Sequence, residues 1–263
     1  MILGIDTSGP ACGIALISAD QVLIRRVERL ERGHAERLFP MLRAALVEVG
    51  VGVEAIERIA VCIGPGSFTG LRVGVAGARG LALGRGVPAV GVTRFQALAS
   101  AVARPGWPRP RGSEARLGDA RPDGESASPV ALVRPAPRPV EDKVGWAERR
   151  PLAVAIAGRG SVYLQLFQGD NASSDPAILA PEALAAAVPD DAVAMGDAWT
   201  LPAVDPKGPG GRGEPVLAPE ALADPAVVAA LGARAKPDRP PAPLYLRGAD
   251  ADPPREAPPP LLV

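Results

Sequence analysis

The order in which strand and helix signals alternate over the first hundred residues constrains this chain more than any other feature. Ile2–Asp6, Gly13–Ile17 and Val22–Val27 are short apolar runs rich in branched side chains, separated by the turn-forming Ser8-Gly9-Pro10 and Ser18-Ala19-Asp20. They predict a three-stranded antiparallel meander. Leu38, Met41, Leu42, Ala45, Leu46 and Val49 then recur at the spacing of one helix face, and Gly50 ends the run. A strand over Arg58–Ile63, a helix from Ser67 to about Gly84, a strand over Ala89–Val92 and a helix from about Phe95 to Ala103 complete the order β-β-β-α-β-α-β-α.

The same order restarts, weakened, after residue 150. Leu152–Ile156 and Val162–Phe167 read as strands, Glu182–Val188 as a helix, Ala192–Met195 as a strand and Ala221–Arg234 as an alanine-rich helix. Two copies of one plan predict a duplicated two-lobed α/β protein. The expected division is a first lobe over 1–103, an insertion over 104–150, a degenerate second lobe over 151–235 and a Pro-rich tail over 236–263. The insertion is rich in Pro and Arg, has little apolar periodicity, and is expected to be disordered because it buries too little to offset its chain entropy. Its small basic excess leaves room for a weak contact with an RNA backbone.

Composition removes several function classes. With 29 basic and 29 acidic side chains and a pI near 6.6 there is no overall field to hold nucleic acid or an anionic membrane. The longest charge-free runs, Thr7–Ala19 and Ile59–Leu71, fall short of the roughly 20 apolar residues that span a bilayer, so no membrane segment is expected. Met1 to Asp6 shows no signal-peptide pattern, and a cytoplasmic location is the expectation. The single histidine, His34, cannot build a two-histidine metal site, and it reads as a surface residue at a helix start. Cys12 and Cys62 lack metal or redox spacing and read as small core residues. No metal, cofactor or catalytic residue is expected.

Gly64-Pro65-Gly66-Ser67-Phe68-Thr69-Gly70-Leu71-Arg72 runs from a strand into a helix, where unpaired N–H groups and the helix dipole can hold an anion. Its spacing fits neither nucleotide fingerprint: no lysine follows Gly70, and Thr69 stands where a third glycine is needed. Ser67 therefore reads as a helix cap rather than a nucleophile. Gly70, Gly74 and Ala78, with Gly77 alongside, imply close approach of another helix, either that of residues 35–49 or one from a partner chain, since each interior glycine costs about 1 kcal/mol. Asp6-Thr7-Ser8 at the end of the first strand is a weak candidate for a vestigial phosphate-binding turn.

These residues carry a family resemblance. Ile2-Leu3-Gly4-Ile5-Asp6-Thr7-Ser8, His34-Ala35-Glu36-Arg37-Leu38-Phe39-Pro40, the Gly64–Arg72 string, Gly80-Leu81-Ala82-Leu83-Gly84, Arg159-Gly160-Ser161-Val162-Tyr163 and Leu244-Tyr245-Leu246-Arg247 closely resemble the bacterial TsaB (YeaZ) family, glycoprotease-like proteins of the actin-like ATPase superfamily. The resemblance is strong through residue 100 and patchy after it. It implies a duplicated actin-like (ribonuclease-H-like) fold and a non-catalytic subunit of the tRNA threonylcarbamoyladenosine machinery. In that machinery such a subunit activates the catalytic paralogue TsaD, works with the ATPase TsaE and meets tRNA through the complex; a homodimer using the same helix face when the partner is absent is a rival reading. It further implies that the paralogues meet through helices of their first lobes, making Leu38, Met41, Leu42, Ala45, Gly70, Arg72, Gly74, Gly77 and Ala78 the candidate partner surface. Where relatives carry Ile-Asp-Ala-Arg, this chain reads Ile156-Ala157-Gly158-Arg159, which weakens the alternative of a stand-alone ATPase or small-molecule kinase.

Overall fold

Side-chain alternation along the first strands gives one sheet two apolar faces, and both are covered. In the computed structural model, which describes residues 1–19, 21–103, 150–205, 208–211 and 220–247, β1 (Ile2–Asp6), β2 (Ala11–Ser18) and β3 (Gln21–Arg29) form the antiparallel meander. β4 (Arg58–Cys62) and β5 (Ala89–Val92) add in parallel, giving the order β3-β2-β1-β4-β5. Leu3, Ile5, Cys12, Ile14 and Leu16 point to one face, where α1 (His34–Val49) and α2 (Phe68–Arg85) bury Leu38, Met41, Leu42, Ala45, Val75 and Ala78 against them. Gly50, in the left-handed conformation with φ 75°, ends α1 as its sequence position implies.

The second sheet repeats the first with fewer parts. β6 (Leu152–Ala157) pairs antiparallel with β7 (Val162–Gln168), which pairs with β8 (Asn171–Ala172) and β9 (Ala177–Leu179). β10 (Val193–Met195) lies parallel to β6, as β4 does to β1. This is the two-lobed, duplicated actin-like α/β architecture, but the expected helix over Glu182–Val188 is two short 3-10 turns, Pro181–Ala183 and Ala185–Ala187. Pro181 and Pro189 bracket a span too short to sustain α-helical hydrogen bonding.

The helices at the ends of the two halves change places. α3 (Arg94–Ala103) lays Phe95, Leu98 and Ala99 on Leu152, Val154, Ile156 and Phe167 of the second sheet. α4 (Pro225–Arg234), counted from the sequence with the second lobe, instead covers the free face of the first, packing Ala226, Val227, Val228 and Ala229 on Ala15, Ile17, Ala60 and Cys62. Its fit there is close: a β-carbon on Gly4 would collide with the Pro225 carbonyl, and one on Gly232 with Ala60. Both helix ends are tied down electrostatically. Asp224 caps the first turn and pairs with Arg25 at 2.9 Å, while Arg58 donates to the Gly232 and Ala235 carbonyls at 2.9 and 2.8 Å.

The proposed insertion lies outside the described residues except for Arg150, as does the tail beyond residue 247. No helix among the described residues is long and apolar enough to cross a membrane.

Candidate functional site

The end of β1 and the start of α2 meet through their own backbones. Ser8 donates both its N–H and its hydroxyl to Asp6 Oδ1, at 2.9 and 2.6 Å. Thr7 Oγ1 donates to the Gly70 carbonyl at 2.7 Å, and the Ser8 carbonyl accepts from Ser67 N at 2.7 Å. Ser67 caps α2 by accepting from Gly70 N at 3.3 Å. The anion-binding potential of this helix start is thus partly used internally: of the donors there, Ser67 N is taken by Ser8 and Gly70 N by the cap.

Glycine makes this contact possible. A β-carbon on Gly66 would strike the Ser8 carbonyl, one on Gly70 the Thr7 carbonyl, and one on Gly74 the Thr7 hydroxyl. Gly70 and Gly74 therefore admit the end of β1, not another helix as the spacing implied. The α1–α2 approach runs through Gly77, where a β-carbon would lie 3.1 Å from Leu38 and 3.4 Å from Phe39.

Asp6, Thr7 and Ser8 are all buried, at 3%, 0% and 0% exposure. Burial pushes the Asp6 carboxyl above its ordinary range, against the opposing pull of the Ser8 hydrogen bonds and the Arg94 charge. A carboxyl that resists ionisation and is already bonded to its own turn is poorly disposed to hold a magnesium ion. Among the described residues no three His, Cys, Asp or Glu side chains converge as a metal site. His34 is not on the surface: Gly33, at φ 88°, turns the entry of α1 so that the ring lies buried beneath the β1–β2 turn, with Nε2 3.3 Å from the Gly9 carbonyl oxygen. Cys12 and Cys62 are free and buried, as expected of core residues. Desolvation raises both thiols, Cys12 to about 12.

At the corresponding end of β6, Gly158 N donates to Ser161 O at 2.8 Å and closes a tight turn. Asp197 supplies a carboxylate that the sequence reading missed, accepting from Ala157 N at 2.8 Å. Gly196 immediately before it, at φ 105° and seated on the Ala155 carbonyl, brings this carboxylate to the strand end, and the sequence carried no signal for it.

The candidate partner residues separate into two sets. Leu38, Met41, Leu42, Ala45, Gly70, Gly74 and Ala78 are buried within the first lobe and cannot present side chains to another chain, because the periodicity that singled them out marks the face against their own sheet. Arg72 is exposed and Gly77 partly so. The outward surface of α2 is Phe68, Thr69, Arg72, Ala76, Arg79, Gly80, Leu83 and Gly84, with Val73 half-buried at its edge against the core. Gly80 and Gly84 have open space where a β-carbon would stand, and Leu83 is 86% exposed. Phe39 of α1, 47% exposed, borders the same surface.

Comparison with known proteins agrees with this architecture. The family model described as "TsaD: tRNA N6-adenosine threonylcarbamoyltransferase" matches residues 27–110. The chain is 40% identical over 98 residues to the tRNA threonylcarbamoyladenosine biosynthesis protein TsaB of Escherichia coli, and 35% identical over 99 residues to that of Bacillus subtilis. These alignments cover 37% and 38% of this chain, and it spans only 42% and 43% of those relatives' own length. Structural similarity reaches much further. YeaZ from Pseudomonas aeruginosa superposes with a TM-score of 0.60 at 25% identity, covering 88% of this chain and 91% of that one. A second structure, described as an uncharacterized protein with similarity to peptidase YEAZ from the same organism, gives 0.63 at 25% identity, covering 94% and 99%. With the duplicated sheets, the β1–α2 junction and these relatives in agreement, the chain is similar to the TsaB/YeaZ proteins and shares their two-lobed, duplicated actin-like fold.

Proposed function

We propose that this chain is a non-catalytic subunit of the cytoplasmic machinery that forms threonylcarbamoyladenosine at position 37 of tRNA, and that it binds and activates TsaD through the outward face of α1 and α2. The observation that carries this reading is the pair of open glycines. Gly80 and Gly84 lie in a helix where glycine costs about 1 kcal/mol per residue, yet neither is required by any contact within the described fold. Small residues on an outward seam suit the close approach of a partner helix, and burying Leu83 and Phe39 there would remove apolar surface from water. Activation then consists of stabilising one conformation of TsaD. TsaE acts in the same complex, and tRNA is met through it.

The non-catalytic part of the reading is supported by Asp6, whose buried, self-bonded carboxyl leaves a would-be nucleotide site without an available metal ligand. The test is product formation on unmodified tRNA in a reconstituted mixture containing TsaD, TsaE and their substrates, with and without this chain. Product that requires the chain, forms equally with Asp6→Asn, and falls with Gly80→Leu is the expected result. Equal product with the chain left out, or magnesium-dependent ATP turnover by the chain alone that Asp6→Asn abolishes, would overturn the reading in favour of a stand-alone ATPase or kinase.

A further inference from the structure

One end of the outward α2 face carries a cationic group whose position is held by two contacts. Phe68 opens α2 and is 54% exposed. Arg72, one turn later, stacks its guanidinium on that ring, with Cζ 3.8 Å from the centroid. Arg72 Nε donates to Tyr245 Oη at 3.1 Å, and the Tyr245 ring stands 5.4 Å from that of Phe68. Tyr245 comes from the far end of the chain and is itself pinned on both sides. Leu244 N donates to the Ile63 carbonyl of the first lobe at 2.7 Å, and Leu246 packs against the apolar cluster of the second.

We propose that Arg72 is a preorganised receptor for a carboxylate of the partner protein, and that Tyr245 is its positioning residue, making the C-terminal segment part of the binding surface. The proposal rests on the reading of the α1–α2 face as a protein-binding surface and adds the chemistry of what meets it. An exposed arginine ordinarily samples many rotamers and loses that freedom on binding. Here the ring and the phenol oxygen have already fixed the side chain. Nη1 and Nη2 have no hydrogen-bond or ion-pair partner among the described residues, leaving the fork that matches a carboxylate in bidentate fashion.

Charge indicates the occupant. α2 carries Arg72, Arg79 and Arg85 and no acidic residue, and Arg85 is spent on the Glu54 carbonyl. From α1 and α2 a second copy would bring only Glu36 uncommitted, because α2 has no acidic residue and Glu48 of α1 is paired with Arg26, whereas a partner helix with an acidic flank would complete both the small-residue seam and Arg72. The apolar seam running beside the fork favours a protein over a nucleic-acid backbone, although a phosphate could occupy the same donors.

The experiment titrates the folded full-length chain with TsaD at low and high salt, comparing wild type, Arg72→Gln, Arg72→Lys and Tyr245→Phe. Arg72→Gln is expected to weaken binding roughly tenfold at low salt and to flatten its salt dependence, as loss of a charge-assisted pair should. Arg72→Lys should not restore it, because an ammonium neither stacks nor forks, and Tyr245→Phe should fall between, at about threefold, since its ring remains. Wild-type binding with all three variants equal to it would overturn this inference and leave the docking surface standing. No binding by wild type would overturn both. If Arg72→Gln instead dissolves a homodimer, or lowers the affinity of this chain alone for unmodified tRNA while TsaD binding is unchanged, the carboxylate assignment is wrong.

Discussion

The inner and outer faces of α2 use glycine for opposite reasons. On the inner face Gly70 and Gly74 are there because the end of β1 occupies the space a side chain would need. On the outer face no described residue from outside the helix stands within 4 Å of where a β-carbon of Gly80 or Gly84 would lie. Intrinsic helix propensity penalises all four alike, so the inner pair is explained by this fold, and the outer pair points to something outside it. On the proposed reading, one helix carries a structural constraint on one side and a partner-binding one on the other.

The largest test of this contrast is Gly74→Leu. Its side chain would be forced into Thr7 and Val61, and the variant is expected not to fold or to lose more than about 3 kcal/mol in denaturant or thermal unfolding. A melting transition like that of wild type would mean α2 is not seated on Thr7. On the outer face, Gly80→Ala should do the reverse and raise stability by about 1 kcal/mol, while Gly80→Leu should keep the circular dichroism of wild type and lose affinity for TsaD. If Gly80→Leu melts as low as Gly74→Leu, the two faces do not differ in the way described.

Asp6 sharpens the inner side of the comparison with a pH profile. The unfolded chain ionises this carboxyl near its ordinary value of 3.8, whereas the folded chain holds the proton to higher pH. The folded state therefore binds more protons above 3.8, and the contribution to stability falls as pH rises through the window between the two values, with nothing lost below it. Asp6→Asn keeps an oxygen to accept from Ser8 and should remove this decline, so its advantage over wild type should appear above pH 4 and vanish below it. An unchanged profile would place the ionised carboxylate in the folded state. The smallest expected effect is the absence of a reaction: Cys12 and Cys62 should resist a thiol reagent at mildly alkaline pH until the protein is unfolded, because burial keeps both protonated and out of reach.

What could be read in the sequence was periodicity, and what could not was the identity of the neighbour. The strands of the first meander, α1 with its Gly50 stop, and the Ser67 cap follow from alternation, helical spacing and capping chemistry. The same spacing placed Gly70, Gly74 and Ala78 on one side of α2 but could not say that the end of β1 lay beneath Gly70 and Gly74. His34 was misread because its burial depends on the left-handed Gly33, and a glycine in sequence does not announce the sign of its φ. The β6-end carboxylate escaped notice because Asp197 lies 40 residues along the chain from the Ala157 amide it holds.

The placement of α4 bears on how the protein is made. One face of the first sheet stays bare until the helix of residues 225–234 has emerged from the ribosome, since that helix supplies the Ala- and Val-rich cover over Ala15, Ala60 and Cys62. Synthesis order and folding order are therefore opposed for the earliest part of the chain. A fragment ending at residue 103 would leave that face without its cover, so the first lobe is less self-contained than its element order looks.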